Sequence, residues 1–113
     1  MNKLELNTCE PCQGGIPPLS EEQIQPYLQS INSSWNVIDN TTKIQRGFEF
    51  SNFKEALSFV NSVGQIAENE GHHPNIYLHD YNKVTITLYT HKIGGLHKND
   101  FILAAKIDQI NRG

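Results

Sequence analysis

The stretch Gly71-His72-His73-Pro74-Asn75-Ile76-Tyr77-Leu78-His79-Asp80-Tyr81-Asn82-Lys83-Val84-Thr85-Ile86-Thr87-Leu88-Tyr89-Thr90-His91 carries the pattern that decides the fold. Val84, Ile86 and Leu88 alternate with Thr85, Thr87 and Tyr89, a period of two that belongs to a strand with one buried face. Ile76 and Leu78 alternate in the same way. Two such runs separated by a short polar segment predict a β-hairpin over 75–80 and 84–90. Opposed residues of an antiparallel pair share a face. Pairing Ile76 with Leu88 and Leu78 with Ile86 leaves Tyr81–Lys83 as a three-residue loop, an allowed hairpin length. Extending that register sets His73 opposite His91, and a one-residue slip sets His72 there instead. The expectation is a pocket lined by His72, His73 and His91 where the hairpin begins.

Upstream of the hairpin, Phe53, Ala56, Leu57, Val60, Val63, Ile66 and Ala67 recur at helical spacing. Asn52 stands as N-cap with Glu55 three residues on, and Gly71 as the stop. Before this helix, Trp35–Ile38 and Lys43–Phe50 read as two strands around the polar turn Asn40-Thr41-Thr42, with Ile44, Phe48 and Phe50 on one face. Ser20 with Gln23 forms a capping-box pattern for a first helix using Ile24, Tyr27, Leu28 and Ile31. Pro26 is compatible with that helix only near its first turn. Gly94-Gly95 marks a loop, and a last helix runs from about Lys98 to Asn111. The order helix, two strands, helix, two strands, helix predicts an α+β fold, a four-stranded antiparallel sheet with helices packed on one face. The opposite face, carrying Thr85, Thr87 and Tyr89, is left to water or to a second subunit.

The chain divides into an irregular arm over 1–19, rich in proline and glycine, and a single domain over 20–113. A chain of 113 residues has the size of one compact domain. A net charge of −3 argues against electrostatic nucleic-acid binding. No segment approaches the length of apolar sequence needed to cross a bilayer. No signal-peptide pattern opens the chain, so a cytoplasmic location without membrane contact is expected. Cys9-x-x-Cys12 is either half a zinc site or two free thiols in a flexible arm. Without a second cysteine pair the free thiols are expected.

Histidine titrates near neutrality and suits proton transfer. Three histidines with an open position could also hold a catalytic zinc. Adjacent His72 and His73 in extended backbone point to opposite faces, however, and their spacing is unlike the two-histidine helix motif, so no metal is expected. His79, beside the turn, and His97, near a helix start, are expected to be solvated.

Glu68-x-x-x-His72-His73-Pro74, then Tyr81, His91 and Asp100, resemble the signature of the pterin-4a-carbinolamine dehydratases. The run from Val84 to His91, with Gly95-Leu96 and Asn99-Asp100-Phe101, resembles the same family, and the resemblance extends from about Trp35 to Ile110. The arm Cys9-Glu-Pro-Cys12-Gln-Gly-Gly is similar to the start of bacterial-type members. The resemblance implies removal of water from a 4a-hydroxytetrahydropterin to give quinonoid dihydropterin, recycling the cofactor of aromatic amino-acid hydroxylases. It implies catalysis by His72, His73 and His91, with His73 also binding substrate alongside Glu68, Pro74, Tyr81 and Asp100. It implies no metal or organic cofactor. It also implies an alternative, because animal members serve as a dimerisation partner of a transcription factor. A homodimer or homotetramer is expected from the open sheet face. Ile76 stands where vertebrate-type members carry tryptophan, Asn99 where they carry arginine, and the hairpin is one residue longer.

Overall fold

The structure, a computed structural model, describes residues 4–10 and 14–111. Cys12 lies outside the described residues. The elements are α1 (Gln25–Gln29), β1 (Asn36–Ile38), β2 (Lys43–Glu49), α2 (Phe53–Glu70), β3 (Asn75–His79), β4 (Lys83–Leu88) and α3 (Lys98–Ile110). Short 3-10 turns occupy Leu4–Leu6 and His91–Ile93. The sheet is antiparallel with strand order β1-β2-β4-β3. The α+β architecture with helices on one face is as expected. Among the described residues no helix is long and apolar enough to cross a membrane.

Alternation along β4 produces the core. Val84, Ile86 and Leu88 are fully buried together with Ile44 of β2 and Phe101, Leu103 and Ile107 of α3. Burying each such side chain contributes about 1.5–3 kcal/mol. Phe59 of α2 packs its ring at a tilt against Phe48 and Phe50, with centroids 4.7 and 5.0 Å apart. Helix α2 begins as its sequence requires, with the Asn52 side chain accepting from the Glu55 N–H at 2.8 Å. It ends at Gly71, whose φ of 66° is the left-handed cap that glycine adopts without strain. The His72 N–H then bonds back to the Ala67 carbonyl at 3.2 Å, turning the chain towards β3.

The hairpin register differs from expectation by two residues. Ile76 pairs with Ile86, Leu78 with Val84 and His79 with Lys83, so the loop is Asp80–Asn82. A shift of two preserves every side chain's face, so the apolar pattern does not distinguish the two registers. The loop does. Asp80 and Tyr81 take φ of 47° and 52°. Asn82 is tied to Phe50, donating from its side chain to the Phe50 carbonyl at 2.8 Å and accepting the Phe50 N–H on its backbone carbonyl at 2.9 Å. His91 therefore does not lie across the ladder from His72 or His73. It sits in the 3-10 turn beyond β4, closed by the Thr90–Gly95 bridge.

The first helix is shorter than expected. The Ser20–Gln23 box forms in both directions, at 2.8 and 3.2 Å, but turns precede the helix proper at Gln25. Pro26 accordingly falls in the first turn, where its missing N–H costs little.

The arm is more than a loose surface segment. Leu4 is 1% exposed and joins the core, and Lys106 of α3 donates to the Glu5 carbonyl at 2.9 Å. Leu19 N–H bonds the Leu96 carbonyl at 2.9 Å, bringing Pro18 over Gly95. A Cβ at Gly95 would stand 2.5 Å from Pro18 Cβ. Gly95→Ala is therefore expected to destabilise by about 1–3 kcal/mol through overpacking. Denaturant unfolding checks this, and an unchanged midpoint would mean the arm yields without cost.

Candidate active site

Past the left-handed cap at Gly71, His72 and His73 leave the end of α2 with their side chains turned different ways. His72 turns inward with its side chain 13% exposed, and His73 turns outward at 62%. His72 Nε2 lies 2.6 Å from Asp100 Oδ1. A carboxylate only accepts, so the imidazole N–H is donated there and, in the neutral ring, Nδ1 is the acceptor. His73 Nε2 lies 2.6 Å from Glu68 Oε2, five residues back in the last turn of α2.

Asp100 is fully buried in the first turn of α3. Its Oδ2 accepts from Thr90 Oγ1 at 2.8 Å and from His97 N–H at 3.0 Å, while Oδ1 holds His72. These donors replace the water that a buried carboxylate loses. Asp100 thus closes the first turn of α3 and holds His72 at the same time. His97 is the N-cap, with Nδ1 accepting the Asn99 N–H at 3.0 Å, and is thus partly buried rather than solvated. His79 is likewise engaged. It stacks on Tyr77 at 4.5 Å, meets Thr85 Oγ1 at 3.0 Å and donates to Asp80 at 2.8 Å, which lowers the Asp80 carboxyl below its ordinary pKa.

The third histidine arrives from the other side. His91 Nε2 is 3.0 Å from the Tyr89 hydroxyl, with the rings 5.0 Å apart. His72, His73 and His91 all line one open pocket of about 430 Å³ between the end of α2, the end of β4 and the start of α3. That volume falls in the range of small-molecule sites. Among the described residues no three His, Cys, Asp or Glu side chains converge to hold a metal ion.

The pocket brings together the three expected histidines. Glu68 and Asp100 stand behind them as hydrogen-bond partners and do not line it. Pro74 does not line it either. Tyr81 occupies the hairpin tip, 64% exposed, at the end of β3 remote from Asn75, the one β3 residue in the pocket lining. Four strand residues, 76–79, separate the pocket wall from the loop, roughly 13 Å. The sequence did not single out Glu10, Asn75, Thr90 or Lys92 as site residues, and these line the pocket too, with Gly71, Tyr89 and Asn99. Tyr89, the residue two before His91 on the outer sheet face, is the one that its position signalled.

Cys9 carries a free thiol beside this site. Its Sγ lies 3.6 Å from the Asn99 carbonyl, and its N–H donates to Glu70 at 2.8 Å. Burial, with the Glu70 and Asp100 charges, pushes the thiol pKa up to about 12. A protonated thiol is a weak nucleophile and metal ligand.

The family model described as pterin 4 alpha carbinolamine dehydratase matches residues 17–110. A protein of Alkaliphilus metalliredigens is 50% identical over 109 residues, covering 96% of each chain. One of Methylococcus capsulatus is 47% identical over 107 residues, covering 95% of this chain and 92% of its own. Both carry the provisional name pterin-4-alpha-carbinolamine dehydratase. The crystal structure of a transcriptional coactivator/pterin dehydratase from Brucella melitensis superposes with a TM-score of 0.75 at 31% identity, over 82% of this chain and 97% of that one. A pterin dehydratase-like protein identified as a RuBisCO assembly factor in the alpha-carboxysome shares the fold at a TM-score of 0.60 and 22% identity, over 71% and 92%. The matched span takes in every strand, the long and final helices and all three pocket histidines, and on that ground the chain belongs to the pterin 4 alpha carbinolamine dehydratase family.

Proposed function

We propose that this chain removes water from a 4a-hydroxytetrahydropterin, giving quinonoid dihydropterin, by acid–base catalysis from its histidines. The observation that carries this is the meeting of His72, His73 and His91 on one pocket, with His72 oriented by buried Asp100. In the reaction the C4a–O bond breaks, the N5 lone pair forms the new C=N bond, and the N5 proton is lost. Hydroxide is a poor leaving group, so a proton must reach the departing oxygen while a base takes the one on nitrogen. Groups that titrate near neutrality suit both transfers. His72 and His91 take these roles. His73, more exposed and paired with Glu68, binds and orients the ring. The proposed enzyme is cytoplasmic, uses no metal or organic cofactor and recycles the pterin of aromatic amino-acid hydroxylases.

Turnover tests this. Purified protein is expected to accelerate loss of water from 4a-hydroxytetrahydropterin well above the spontaneous rate. Dehydration no faster with protein than without it would leave a protein-interaction role, such as the coactivator half of the Brucella protein's name.

The proposal extends to assembly. Tyr77 on the outer sheet face, and Phe53 and Leu57 on α2, are exposed apolar side chains of a kind that a second copy covers. A homodimer or homotetramer is expected by light scattering at micromolar concentration, and a clean monomer mass would refute it.

A further inference from the structure

Asn99 is a buried side chain with an unusual task. Its Oδ1 accepts the Glu10 N–H at 2.9 Å and its Nδ2 donates to the Glu10 carbonyl at 2.6 Å. Both ends of the amide are thus spent on the backbone of one arm residue. Cys9, next to it, is fastened to Glu70. The arm is held again downstream, where the Leu19 N–H meets the Leu96 carbonyl. This anchoring brings an exposed carboxylate residue, Glu10, into the pocket wall beside His72, His73 and His91. Among the described residues, Glu10 is the sole acidic one that lines the pocket. The neighbouring acids are already engaged, Glu68 by His73, Asp100 by His72, and Glu70 by Cys9 and Lys106.

We propose that Glu10, pinned by Asn99, is the specificity-determining residue of this pocket and recognises the paired N–H donors of an aminopyrimidinone ring edge. The inference rests on the dehydratase proposal above and adds what that proposal lacks, a group that reads the end of the ring remote from the chemistry. The 2-amino group and N3–H of a pterin form two adjacent donors, which a carboxylate accepts with its two oxygens. A lumazine keeps N3–H but presents a carbonyl where the amino group stood, and that oxygen would face the carboxylate.

The test is direct binding of dihydropterin and dihydrolumazine to the full chain, as wild type, Glu10→Gln and Asn99→Ala. Wild type is expected to prefer dihydropterin roughly ten- to hundredfold, the range of a charge-assisted hydrogen bond. Glu10→Gln, an exposed change that leaves the fold intact, is expected to reduce the preference to about twofold or less. Asn99→Ala, with folding checked by circular dichroism, is expected to do the same by releasing the arm. If wild type binds dihydropterin but shows no preference, or if Glu10→Gln retains it, the wall proposal is overturned while the enzyme proposal stands. If only Asn99→Ala retains the preference, the pinning is overturned. If wild type binds neither ring, both proposals fall together. In turnover, the rise in KM of Glu10→Gln should exceed any fall in kcat, and the reverse split would contradict a recognition role.

Discussion

His72→Ala is expected to lower kcat for dehydration of 4a-hydroxytetrahydropterin by roughly 10²–10⁴-fold, the span of a positioned acid–base group. His72 is the least exposed of the pair at the end of α2, and its ring is fixed by the 2.6 Å bond to Asp100. Alanine also strips Asp100 Oδ1 of its donor, and an unsatisfied buried acceptor costs about 1–3 kcal/mol. Folding and chemistry must therefore be separated. His72→Gln separates them, because its amide can still donate to Asp100 but does not exchange protons near neutrality. Both variants are expected to lose turnover, with His72→Gln the more stable in denaturant. His73→Ala should differ in kind. Its partner Glu68 is exposed, so little stability is at stake, and KM should move more than kcat. Steady-state kinetics on folded protein check these outcomes. A His72→Gln enzyme with near wild-type kcat would remove His72 from the chemistry.

Asp108→Ala is expected to destabilise the fold by about 1–3 kcal/mol, because it strips three donors of their acceptor and leaves the half-buried Arg46 without its partner. Asp108 Oδ1 lies 2.6 Å from Arg46 Nη1 and accepts from Trp35 Nε1 at 2.8 Å, and Oδ2 accepts the Asn32 N–H at 3.0 Å. One carboxylate thus joins α3, β2 and the segment ahead of β1. Arg46 points to the core side of β2 between Ile44 and Phe48, with its guanidinium 4.4 Å over the Phe48 ring. Its Nε has no partner among the described residues. Removing the carboxylate strands this cation under the sheet. The double variant Asp108→Ala/Arg46→Leu removes both charges and should recover much of the loss. Denaturant midpoints check the pair. Additive losses would show that Arg46 and Asp108 contribute independently.

The elements whose signals are local were legible in the sequence. The alternation of Val84, Ile86 and Leu88, the Asn52 cap and the Gly71 stop each specify a strand or a helix end within a few residues. The convergence of His72, His73 and His91 was also anticipated, but by a route the structure does not take. The expected register placed His91 across the ladder, whereas it reaches the pocket from the 3-10 turn that Thr90 and Gly95 close. Periodicity has no information about a shift of two, because all faces are preserved. The deciding contact, Asn82 with Phe50, spans 32 residues and one side chain that reads as ordinary turn material. The arm was legible only as composition. Its prolines and glycines mark irregular backbone, but nothing in them shows that Leu4 enters the core or that Asn99 grips Glu10. Asn99 drew notice as a departure from arginine, and the structure gives it a task of its own. Asp108 went unremarked because an acid on a helix is usually solvated, and only the fold reveals the cation that faces it.

In the proposed reaction the imidazoles of His72, His73 and His91 surround the pterin ring at its reacting edge. A crystal structure with bound dihydropterin, which lacks the 4a-hydroxyl and does not react, tests it most directly. The ring is expected in the pocket between α2, β4 and α3, with imidazole nitrogens of His72 and His91 within about 2.6–3.2 Å of its N5 or of the site where the 4a-oxygen would stand. A ring seated on the outer face of the sheet, or anywhere that leaves those two histidines out of reach, would contradict the account.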